Sequence, residues 1–182
     1  VYKRQADKGH LDVVNRLIDA GSDVNLASNN GFTVLMAAAA NGHLDTVKRL
    51  IEAGASIDLA NNTGFTALMA AADKGHLDIV TKLIEEGANV DLANTKGSKA
   101  LIYAVMNGHL DIVTRLIDKG ADVNLADDFG MTALMFAAAN RRLDIVKRLI
   151  EAGASIDLAN NYGWTALMSA AANGHLDTVK RL

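Results

Sequence analysis

The chain has no cysteine. Disulfides, thiolate nucleophiles and cysteine-held metals are therefore excluded, which fits a cytosolic protein. Proline is absent as well, where average usage would place roughly nine in a chain of this size. Aromatic residues make up only 4% of the chain although half of its residues are hydrophobic, so Ala, Leu, Ile and Val must do most of the core filling. No apolar run approaches the roughly 18 residues that a membrane span needs, and no signal peptide is recognisable. A net charge of −3 gives no electrostatic basis for a nucleic-acid or membrane partner. The expected location is the cytoplasm, or outside the cell if the chain is part of an exported effector.

What the chain does have is a beat. Gly9-His10, Gly42-His43, Gly75-His76, Gly108-His109 and Gly174-His175 recur on a 33-residue interval, and Arg141-Arg142 fills the one remaining place. A fixed period of this size means stacked copies of one small unit, with the core shared between neighbours. Starting each copy three residues before its Gly-x-Thr divides the chain into complete copies at 28–60, 61–93, 94–126 and 127–159. Partial copies flank them at 1–27 and 160–182, so the expected organisation is a single array over 1–182.

Each copy reads as turn, helix, turn, helix and exit. The opening Asn-Asn-x-Gly-x of Asn61–Phe65 is turn chemistry, since Asn tolerates left-handed backbone and Gly supplies it. Thr33, Thr66, Thr132 and Thr165 stand where an N-cap belongs. A short Ala-rich helix follows and stops at Gly; its small side chains suit close helix–helix approach. The second helix starts near Leu-Asp, whose carboxylate complements the helix dipole. It carries Val80, Leu83 and Ile84 on one face and charges such as Lys48, Arg49 and Glu52 on the other. An exit such as Ala55–Ala60 returns the chain with two apolar residues facing inward.

These motifs resemble those of ankyrin repeats: Gly-x-Thr, Ala-Ala in helix one, Gly-His between the helices, Val-x-x-Leu-Ile on helix two and Gly-Ala-x-Val-Asn/Asp at the exit. The resemblance covers essentially the whole chain. It implies an all-α solenoid of paired antiparallel helices with projecting β-turn fingers, curved so that fingers and first helices line a concave face. It also implies a protein partner on that face. Asn25 and Asn124, in the Asp-Val-Asn exit, are similar to asparagines hydroxylated in some eukaryotic members of the family.

The departures from that pattern are informative. Thr-Ala-Leu-Met stands where the family writes Thr-Pro-Leu-His, which gives up a pre-set φ without breaking a hydrogen bond and puts an adaptable thioether in place of the imidazole. In the third complete copy Lys99 replaces the capping Thr. Two outcomes are open: Ser98 takes over the cap with a one-residue shift, or the helix start frays. Ile102, Tyr103, Val105 and Met106 also replace smaller residues there. Arg141 sits at a Gly position and, with Arg142, makes a local basic spot. Residues 47–62 and 146–161 are identical, as segmental duplication explains; the irregular third copy favours a natural sequence over deliberate consensus design, which stays the alternative.

No catalytic constellation emerges. Histidines on successive units lie about 8–10 Å apart, too far to share ligands about 2 Å from one zinc, so their expected role is to fix the inter-helix turn. Asp12, Asp45, Asp78, Asp111, Asp144 and Asp177 recur with the repeat and are helix-start residues. No phosphate loop, Gly-x-Ser-x-Gly or His-Glu-x-x-His is present. The expected chain is not an enzyme and holds no cofactor or metal.

Function is sought instead where copies differ. Beside the finger glycine stand Phe32, Phe65, Ser98, Met131 and Trp164 on one side and Asn30, Thr63, Lys96, Phe129 and Tyr162 on the other. The pairs before the inter-helix turn also vary, among them Asp73-Lys74, Met106-Asn107 and Ala139-Asn140. Exposed aromatics anchor protein interfaces. The candidate partner-binding set is Phe32, Phe65, Lys74, Ser98, Met106, Asn107, Phe129, Met131, Asn140, Arg141, Tyr162 and Trp164. The leading expectation is a non-enzymatic protein-interaction scaffold. The alternative is a targeting segment of a larger enzyme or secreted effector. A monomer is expected, with self-association open through ends that carry no polar caps.

Overall fold

A computed structural model of the chain describes residues 11–182. The Gly9-His10 pair and the variable Asp7-Lys8 lie outside the described residues. The chain divides into two compact units, Val1–Asn89 and Val90–Leu182, with the division close to the repeat boundary at 93/94. The described residues form eleven α-helices and no strands; their only bridge joins Ala27 and Thr33.

In the first unit, α1 (Leu11–Asp19), α3 (Leu44–Glu52) and α5 (Leu77–Glu85) are second helices, and α2 (Val34–Ala40) and α4 (Ala67–Lys74) are first helices. Each first helix packs against its own second helix and against its counterpart in the neighbouring copy. Ala37–Ala39 and Ala70–Ala72 are all at most 1% exposed, so the alanine tracts are the contact surface. Leu35, Met36, Leu68 and Met69 are buried as well, at most 2% exposed. The methionines thus fill core space.

The second unit repeats this with α6 (Ala100–Asn107), α8 (Ala133–Ala139) and α10 (Ala166–Ala172) as first helices. Its second helices are α7 (Leu110–Asp118), α9 (Leu143–Glu151) and α11 (Leu176–Arg181). The stack arises because every helix here is six to nine residues long. Isolated helices of that length are marginal in water, so they persist only through the apolar faces they bury on each other.

The caps follow the sequence closely. Thr33, Thr66, Thr132 and Thr165 accept through Oγ1 from the backbone N–H of Met36, Met69, Met135 and Met168 at 3.2–3.4 Å. At the other end, α4 and α6 stop on left-handed Gly75 and Gly108, while α2, α8 and α10 place Asn41, Asn140 and Asn173 at the cap. In the exits the inward residues are the Ala and the following Val or Ile, as Ala121 and Val123 show. The Leu two positions on stays partly exposed, from half-buried Leu92 to 60% at Leu26.

The third complete copy corrects the reading of its helix start. Neither a Ser98 cap nor a frayed end is seen. Helix α6 begins at Ala100, in register with its counterparts, and Lys99 occupies the cap position with no side-chain capping bond. Its backbone is extended, as at the Thr caps, and its side chain folds inward until the residue is only 8% exposed. There Nζ donates to the carbonyl oxygens of Gly97 at 2.8 Å and Ala126 at 3.1 Å. Lys99 thereby joins its own finger to the exit that leads into the next copy.

Candidate functional site

The fingers are built by one recurrent device. A β-turn closes each, with the glycine N–H donating three residues back, as Gly64 does to Asn61 at 2.9 Å and Gly130 to Asp127 at 2.9 Å. Asn61 Oδ1 accepts from the N–H of Thr63 and Phe65, both at 2.9 Å. Asp127 does the same for Phe129 and Met131, and Asn160 for Tyr162 and Trp164. Neighbouring fingers are then stitched together. Asn161 donates its backbone N–H to Phe129 O at 3.0 Å and its side-chain amide to Asp128 O at 2.9 Å, and Asn62 repeats the pattern on Asn30 and Asn29. The turn glycines are required here: a Cβ on Gly130 would lie 2.7 Å from Asn161 Oδ1.

On this frame the candidate residues separate by exposure. In the first unit, Phe32 and Phe65 are half-buried, and exposed Lys74 pairs with Asp73 at 2.9 Å. In the second unit, Ser98 and Met131 are half-buried, the Met131 sulfur receiving the Asn160 amide at 3.1 Å. Met106 (45%) and Phe129 (51%) stand out into solvent. Asn107 and Asn140 are exposed but turn their amides back onto Tyr103 O and Phe136 O at 3.0 and 2.8 Å. Tyr162 and Trp164 are 73% and 45% exposed.

That last pair has a different cause from Met106 and Phe129. The counterparts of Trp164 are half-buried at Phe32, Phe65, Ser98 and Met131. Around Trp164 the whole helix-one face is open, with Leu167 at 42% and Met168 at 51%, whereas Leu134 and Met135 are 1% exposed. A Cβ on Gly163 would meet nothing within 4 Å, unlike one on Gly130. Tyr162 and Trp164 therefore belong to the stacking surface of the last copy, and Met106 and Phe129 are the two candidate apolar side chains exposed within the stack.

The charged backs of the second helices neutralise themselves. Arg49 reaches Asp19 at 3.0 Å, Arg148 reaches Asp118 at 2.6 Å, and Lys147 and Asp144 pair at 3.4 Å. Lys82 bonds Glu86 at 2.5 Å, and that hydrogen bond is the main cause holding its ammonium above the ordinary lysine range. Two histidines act across copies: His76 Nε2 bonds Ala40 O at 3.2 Å and His175 Nδ1 bonds Ala138 O at 2.8 Å. Each stitches two copies within its own unit as well as occupying the inter-helix turn. Among the described residues no group of acidic or histidine side chains converges as a metal site.

The sequence that builds this repeating helix pair and finger matches the family model described as Ankyrin repeats (3 copies), over residues 4–94, 86–127 and 101–182. The chain belongs to the ankyrin-repeat family. No curated protein matches it. Ankyrin repeats are in general protein–protein interaction modules and typically non-catalytic. No helix among the described residues of this ankyrin chain is long and apolar enough to cross a membrane.

Sequence reasoning found the fingers and missed the Lys99 clasp. Its signal was present in part: a lysine at a cap position cannot accept from the helix amides, so its three donors must find carbonyls instead.

Proposed function

We propose that this ankyrin chain is a non-enzymatic scaffold that binds a protein partner through its finger and helix-one surface. The observation that carries the reading is the exposure of Met106 and Phe129 at 45% and 51% where the other described first-helix and finger apolar residues, outside the last copy, are half-buried or buried. Truncating an exposed apolar anchor costs no folding energy worth speaking of, so these positions report on recognition and not on the core. Both lie in the second unit, which is where the partner's main contacts belong.

The test is affinity capture with the intact chain, identification of the captured protein by mass spectrometry, and repetition with Met106→Ala/Phe129→Ala. The double variant should retain its helicity and lose most of the capture. Undiminished capture by a folded double variant rejects this surface.

A further inference from the structure

We propose that the Arg141-Arg142 turn is an oxyanion-binding site that receives an acidic segment of the partner, its carboxylates on the two guanidinium groups. The inference rests on the reading of the chain as a protein-binding scaffold and names the chemistry of one part of the partner.

Four observations converge on this turn. Arg141 has φ +56°, the only left-handed non-glycine residue among those described. The corresponding places in the other described copies hold glycine: Gly42, Gly75, Gly108 and Gly174. A long cationic side chain is thus held where the backbone favours none. Both arginines are exposed, and neither guanidinium makes a hydrogen bond or ion pair within the described residues, while Arg49 and Arg148 are each tied to an aspartate. Arg142 stands where His76 and His175 stand in their copies, yet it does not make their bond to a carbonyl of the preceding copy. Its guanidinium lies flat against Gly108 instead, close enough that a Cβ there would sit 2.6 Å from Cζ.

The surroundings give the site a shape. The two arginines line a shallow depression of about 300 Å³ with Gly108, Leu110 and Leu143. Asp144 also borders it, but its carboxylate is engaged by Lys147 at 3.4 Å. Two uncompensated guanidinium groups therefore remain, each with planar N–H donors suited to bidentate capture of an oxyanion. The depression itself supplies apolar surface beside the cationic pair, from Leu110 and Leu143. A short acidic segment with one apolar residue fits this better than a nucleic acid does, since the chain as a whole carries −3 and offers no extended basic track.

The decisive variant is Arg141→Gly/Arg142→His, which restores the Gly-His of the other copies and so preserves the fold. The full chain is labelled with ¹⁵N, its arginine Nε–Hε signals are followed by NMR, and blocked hexaglutamate peptide is added at low salt. Saturable shifts confined to Arg141 and Arg142, weakened by salt and reduced about tenfold or more in affinity in the double variant, are the expected result. Shifts spread evenly over Arg49, Arg148 and the other arginines, or no shift at all, overturn it. Inorganic phosphate is titrated in parallel; saturation by phosphate without saturation by the peptide also overturns it, making the turn a small-anion site. The titration needs no natural partner, so its failure is separable from failure of the scaffold reading, which the Met106→Ala/Phe129→Ala capture experiment decides.

Discussion

Replacing Arg141 by Gly should make the protein more stable. A left-handed backbone costs an L-residue roughly 1–2 kcal/mol, and φ at Arg141 is +56°. Glycine removes that cost but gains unfolded-chain freedom worth about 0.5–1 kcal/mol, which leaves a net gain of about 0.5–1 kcal/mol. No intramolecular bond of the guanidinium is lost, because none is made. A second effect works in the same direction. At Gly42 the next copy's His76 ring packs so closely that a Cβ would lie 2.7 Å from Cε1. Arg141 carries a Cβ at the corresponding place, and His175 uses its other ring nitrogen on a carbonyl one position earlier in the repeat, Ala138. Glycine would let His175 adopt the arrangement of His76. The assay is urea unfolding followed by circular dichroism, with Tm from a thermal scan; a gain of this size corresponds to about 1–4 °C in a chain this long. Arg141→Ala is the control, since it keeps the Cβ and the strain. If Ala stabilises as much as Gly, or Gly lowers stability, backbone strain at this turn is not the governing effect.

Other outcomes follow from the burial pattern. Leu134→Ala, at 1% exposure, should cost about 2–5 kcal/mol, while Leu167→Ala at the same repeat position, 42% exposed, should cost well under half as much in urea unfolding. Lys99→Met removes the donor to Gly97 O and Ala126 O and should cost about 1–3 kcal/mol; Lys99→Thr, which regains a capping hydroxyl worth about 1 kcal/mol, should fall between Met and the parent. Thr178 is fully buried with its hydroxyl unbonded, where Ile112 and Ile145 stand in the copies before it. Thr178→Val should accordingly raise stability by about 1 kcal/mol in the same assay.

The fold was legible because each of its signals is local. A threonine cap, an alanine tract and a turn glycine act within four residues of themselves, so Thr66, Ala70–Ala72 and Gly75 announce their helix directly. Lys99 was not legible in that way. Its second acceptor, Ala126 O, lies 27 residues along the chain and is reached only because the exit of that copy folds back beside its own finger. The candidate surface divides on the same line. Position in the finger singled out Phe32, Phe65, Phe129 and Trp164 alike, but exposure depends on whether a neighbouring finger covers the side chain. Only Phe129 stands clear with a neighbour in place.

The open glycine at 163 has a consequence for how such a chain changes length. The surface it borders is the same surface that the copy before it presents to its neighbour, with the same carbonyls and the same apolar first helix. Nothing in that surface records how many units lie behind it. Stack length is therefore not measured by the fold at all, and a 33-residue block can be inserted or deleted without inventing a new interface. The identical stretches at 47–62 and 146–161 are what such copying leaves behind. Individuality enters afterwards and one copy at a time, by replacing the few residues, such as Lys99 and Arg141, that the shared geometry leaves room for.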